Sequence, residues 1–208
     1  MLKFGKFASH LKEMRGYIGV AFVLFLAAIF IGSSNPAFTN FLDSQMEGLK
    51  NLVQTIDSTA NPAITMMIII FLNNAIKCIF VMYLGVFFGI IPIAFLIING
   101  MLIGYLLDVI SRNPEMPSVL EMVLKGLLPH GIIEIPAIII ACAYGMKFGS
   151  LAWRGTGSFL FQRSRLLGIG AEFGFFAERT VAMMIALIVS LLIASIIEST
   201  VTVWLISL

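Results

Sequence analysis

Of 208 residues, 60% are hydrophobic and 12% charged, whereas about a quarter of a soluble domain is charged. The net charge of +2 is too small to argue for a nucleic-acid partner. Apolar runs long enough to cross a hydrocarbon layer of about 30 Å recur along the chain, so the sequence reads as an all-α, polytopic membrane helix bundle.

In chain order, Lys3, Lys6, Lys12 and Arg15 lead into a first apolar run at 17–33, closed by Asn35-Pro36. No small-residue cleavage site follows cleanly, so this run reads as an uncleaved span. Residues 34–62 form an outer loop with one amphipathic helix, because Phe41, Leu42, Met46, Leu49, Leu52 and Val53 recur at helical spacing. Such a stripe lies on the membrane surface, packs on the bundle or docks a partner. The next apolar stretch, Ala63 to Ser111, is too long for one span. Gly85, Gly89 and Pro92 divide it into spans at 63–87 and 91–111. Residues 112–128 are a second outer loop containing a short helix, and Pro129 suits the first turn of a fourth span at 129–149. A charged connector, 150–179, mixes arginines with phenylalanines and fits a helix resting on an anionic leaflet or docking a partner. The fifth span covers 180–206, and 1–208 forms a single membrane domain.

Nine of the thirteen basic residues fall on the side of the N-terminus and the 150–179 connector; Lys50, Arg112 and Lys125 fall on the other, and Lys77 lies within a span. The excess of Lys and Arg marks the cytoplasmic side, so the N-terminus is expected inside the cell membrane and the C-terminus outside. Cys78 and Cys142 sit in apolar runs and read as small buried hydrophobes. Four Gly-x-x-x-Gly pairs, at 85/89, 100/104, 145/149 and 170/174, allow close backbone approach, either within one chain or across a homodimer.

The most informative segment is Leu128-Pro-His-Gly-Ile-Ile-Glu-Ile-Pro136. Four residues on a helix amount to about 40° of rotation and about 6 Å of rise, so His130 and Glu134 share a face. Further polar residues stand in the spans: Asn73, Asn74 and Lys77 in the second, Asn99 in the third and Glu198 in the fifth. The depths of His130, Glu134, Glu198 and the three asparagines allow these groups to converge on one outward-facing cavity. Three readings compete for that set. The first is interhelical hydrogen bonding with Lys77 neutralising a glutamate. The second is a divalent metal site, for an ion such as zinc, on His130 and Glu134 with Glu198 or an asparagine. The third is an ion-coupled pathway through Glu134. Hydrolase elbows, zinc-protease helices and phosphate loops are missing, which leans away from an enzyme.

Phe71-Leu-Asn-Asn-Ala75, Asn99-Gly-Met-Leu-Ile-Gly104 and the 128–136 segment resemble the hallmark segments of the stage II sporulation protein M family, over roughly residues 15–207. On that pattern Asn74, Asn99, His130 and Glu134 are the matching positions. The resemblance implies a five-span membrane scaffold of the engulfment machinery, organising the peptidoglycan-degrading stage II proteins D and P. Similar proteins also occur in organisms that never sporulate. A scaffold by itself gives no need for a buried His–Glu pair, which keeps a transporter or metal-dependent membrane protein as the alternative.

Overall fold

The computed structural model describes residues 4–34, 38–114 and 116–207. All regular structure among them is helical: α1 (Phe4–Glu13), α2 (Arg15–Ser34), α3 (Thr39–Asp57), α4 (Pro62–Leu84), α5 (Ile90–Arg112), a short α6 (Val119–Glu121), α7 (Leu128–Phe161), α8 (Leu166–Ile197) and α9 (Val203–Ile206). Two π-helical segments interrupt the pattern, Met122–Leu127 ahead of α7 and Glu198–Thr202 between α8 and α9. Asn35 and Pro36, expected to close the first span, lie outside the described residues.

Five helical stretches, including α2, α4 and α5, are long and apolar enough to cross a membrane. In the most apolar part of each spanning stretch only 17–39% of the residues are buried within the protein, which leaves most of that part for lipid. The remaining two stretches are longer than a bilayer needs. With 34 residues, α7 is about 51 Å long against a hydrocarbon core of about 30 Å. The 150–179 stretch, read from sequence as a connector, is therefore mostly the continuation of α7 and the beginning of α8. Only Gln162 and a single 3-10 turn, Arg163–Arg165, separate the two helices.

The centre of the bundle is α7, which packs on α8, α4, α2 and α5, while α2 packs most extensively on α5. Tyr144, Cys142, Leu151, Phe25, Met82 and Leu96 are fully buried around it. Both cysteines are buried and free. Glycine explains how close these helices come. A Cβ on Gly85 or Gly149 would strike the backbone of Gly145 or Gly89 on the opposing side of the crossing, and one on Gly104 would strike the Ile29 carbonyl of α2. Three of the four glycine pairs thus serve contacts within the chain. A Cβ at Gly170 or Gly174 would meet nothing within 4 Å. The α4–α5 hairpin turns tightly because Gly89 adopts φ +75°, a left-handed conformation suited to glycine.

One end of the bundle carries α1 and a network of ion pairs. Lys147 and Arg154 both reach Glu172, at 3.0 and 2.8 Å, and Arg179 reaches Glu13 at 3.1 Å. The other end carries α3, which is tied to α5 by a hydrogen bond from Tyr105 to Asp43, while Thr59 in the turn after α3 donates to Thr65 of α4.

Candidate functional site

At the end away from α1, α7 opens with His130 and Glu134 one turn apart, and the π turn after α8 opens with Glu198. One ligand atom from each of these three half-buried side chains lies within 4.8 Å of the others. Both neighbouring irregularities are π segments, whose i→i+5 hydrogen bonding re-aims side chains relative to a plain α-helix and recurs at functional sites. Pro136 adds a third. Lacking an N–H, it leaves the carbonyl of Ile132 without its intrahelical donor, between the two ligand positions.

Second partners hold two of the three groups. Asn74 Nδ2 of α4 donates to Glu134 Oε1 at 2.8 Å, across 60 residues of sequence. His130 Nδ1 lies 3.3 Å from the Thr202 hydroxyl of the π turn. That contact fixes the ring and leaves Nε2 as the nitrogen for a ligand. Glu198 Oε2 is buried with no hydrogen-bond partner among the described residues. Two ionised carboxylates this close in apolar surroundings would repel each other, which a shared proton or a cation between them relieves.

The structure sorts the remaining polar residues. Asn73 is exposed and donates a long 3.4 Å hydrogen bond to Asn74 Oδ1. Lys77 is exposed and forms no direct ion pair with Glu134 or Glu198 among the described residues, so the expected neutralising salt bridge is not made. Asn99 donates to the carbonyl of Phe95 at 2.8 Å, one turn back on its own helix. A polar group satisfied that way has no need of the cluster. Sequence reasoning missed Thr202, although Glu198 and Thr202 repeat the four-residue spacing of His130 and Glu134.

No solved structure matches the chain. An uncharacterised protein of Methanocaldococcus jannaschii is 25% identical over 193 residues, covering 92% of this chain and 82% of its own length. A second uncharacterised protein of that organism is 39% identical over 77 residues, 36% of this chain and 42% of its own length. The family described as stage II sporulation protein M matches residues 18–203, nearly the whole of the five-helix bundle and every residue of the His130–Glu134–Glu198 cluster, and the chain belongs to that family.

Proposed function

We propose that this protein is an integral component of the cell membrane that holds a divalent transition metal on His130, Glu134 and Glu198. The observation that carries the reading is the approach of three ligand atoms to within 4.8 Å. One nitrogen and two carboxylate oxygens suit zinc or a neighbouring first-row ion, and three protein ligands leave a coordination position open. Asn74 and Thr202 are the positioning residues, each steadying one ligand through its other polar atom. The test is metal content by mass spectrometry on protein purified without chelators. About one metal per chain is expected; a metal-free protein that takes up none from added zinc, manganese or iron salts sinks the proposal.

A second reading rests on family membership: a scaffold for envelope proteins, including peptidoglycan hydrolases of the stage II D and P type. What favours it is α3, at the same end as the cluster, which buries Leu42 against the bundle yet leaves Phe41 and Val53 exposed. In this reading the N-terminus is cytoplasmic and α3 faces outward, as the distribution of basic residues suggests. Replacing Phe41 and Val53 by glutamate is expected to abolish co-purification of such partners while the protein remains folded by thermal scan. Partners retained on that double variant would rule out α3 as their dock.

A further inference from the structure

The α1 end of the bundle contains a cavity of about 220 Å³, lined by His10, Glu13, Tyr17, Lys147, Phe176 and Arg179 among others. It is separate from the metal cluster: Glu134 and Lys147 are thirteen residues apart on α7, about 20 Å. His10 is only 7% exposed, yet neither of its ring nitrogens has a hydrogen-bond partner among the described residues. Its Nδ1 lies 3.6 Å from Glu13 Oε2, too far for a hydrogen bond. Burial lowers its pKa, so the ring is neutral and offers one donor and one acceptor. The Tyr144 ring packs edge-on against it from outside the cavity lining, with centroids 5.4 Å apart, and offers it no hydrogen bond among the described residues. Buried polar atoms are ordinarily satisfied, so the two ring nitrogens of His10 call for a polar occupant.

The cavity's cations have donors to spare. Lys147 carries three N–H donors and gives one to Glu172, while Arg179 carries five and gives one to Glu13. Position supplies the next clue. Tyr17 stands at the start of the uncharged run 16–34, Lys147 directly follows the uncharged run 135–146, and Arg179 directly precedes the uncharged run 180–197. All three therefore lie where hydrocarbon gives way to headgroups. Spare cationic donors at that level fit a phosphate, and basic pockets between membrane helices bind lipid headgroups. Glu13 and Glu172 stand against a bare anion and would accept from a donor carried beside the phosphate.

We propose that this cavity takes the headgroup of a membrane phospholipid, its phosphate on Lys147, Arg179 and His10 and its own N–H or O–H donor on Glu13 or Glu172, with Tyr17 against its glycerol end. The test is thermal unfolding of the full chain in detergent with added phosphatidylethanolamine, phosphatidylcholine or inorganic phosphate. Phosphatidylethanolamine is expected to raise Tm in a saturable way. Phosphatidylcholine, whose quaternary ammonium cannot donate, is expected to do so far less, and inorganic phosphate not at all. His10→Ala and Arg179→Gln should each raise the half-saturating lipid concentration about tenfold, the effect of one lost charge-assisted hydrogen bond. His10→Ala removes no hydrogen bond and leaves every other ion pair in place, so it reports even where Arg179→Gln loosens α1. Equal shifts with both lipids, a shift with inorganic phosphate alone, no shift, or full lipid response in both variants would each overturn the proposal.

Discussion

Glu134→Gln is expected to empty the metal site without unfolding the protein. The amide is nearly the same shape as the carboxylate, and its oxygen still accepts the 2.8 Å hydrogen bond from Asn74. What it loses is the charge and the anionic ligand, and three-ligand sites depend on each member. His130→Ala and Glu198→Gln should do the same. Metal content should fall from about one per chain to background in all three. The Tm of the two glutamine variants should equal or exceed that of chelator-stripped wild type, because the metal's own contribution to stability is missing from all three proteins and each amide also removes the repulsion between the carboxylates. A purely structural cluster predicts the reverse: no metal at the outset, and a loss of about 3–5 kcal/mol when a buried charged group loses its partner. Asn74→Ala and Thr202→Val test the next layer out. Each removes a contact that steadies a ligand but not the ligand itself, so affinity should drop about 10–100-fold with metal still bound at saturation. Competition with a chelator of known affinity measures that drop. Unchanged affinity in both variants would remove them from the site.

The second large effect is on folding. Gly149→Val should prevent recovery of folded protein, or lower Tm by on the order of 10 °C. The added carbons would meet backbone atoms of Phe88 and Gly89, and backbone cannot rotate aside as a side chain can. Gly104→Val should behave alike, through the Ile29 carbonyl and the Ser33 nitrogen of α2. Gly170→Val is the control, since nothing lies within 4 Å of its Cβ position, and its Tm should stay within a few degrees of wild type. Thermal unfolding followed by size-exclusion chromatography separates these cases. A normal Tm for Gly149→Val would mean that the α4–α5 turn does not press on α7 at this crossing.

The sequence made the spanning helices legible because depth in lipid is written directly into hydropathy. The fold's all-helical, five-span character and the family follow from that and from the motif segments. Helix ends were less legible. Arg154, Glu172 and Arg179 announce that the chain has left the hydrocarbon, but charged residues are as comfortable in a helix as in a loop. So α7 and α8 run on past the bilayer with only Gln162 and one 3-10 turn between them.

Within the site, His130 and Glu134 were readable because one helix sets their geometry. Glu198 could be placed only by depth, and its partners depend on how α8 packs against α7. Asn99 looked equivalent to Asn74 in composition and depth, yet it turns back to Phe95 while Asn74 reaches across to Glu134. An asparagine in lipid must satisfy its amide somewhere, and sequence does not say whether its own helix suffices. Thr202 was invisible for the converse reason. Threonine hydroxyls in helices usually bond to the preceding turn, so nothing in the sequence singled this one out.

The π segments on either side of the cluster carry a lesson for comparing relatives. Each hydrogen-bonded loop of a π turn encloses one residue more than the α turn it replaces. Delete a single residue between Glu198 and Thr202 while the π turn itself persists, and every residue beyond moves up one place, turning the threonine away from the histidine by about the 100° that one residue contributes. Two homologues could then share every chemical group of the site and differ in whether it is assembled. The difference would show in an alignment as a gap of one position, with no substitution to mark it.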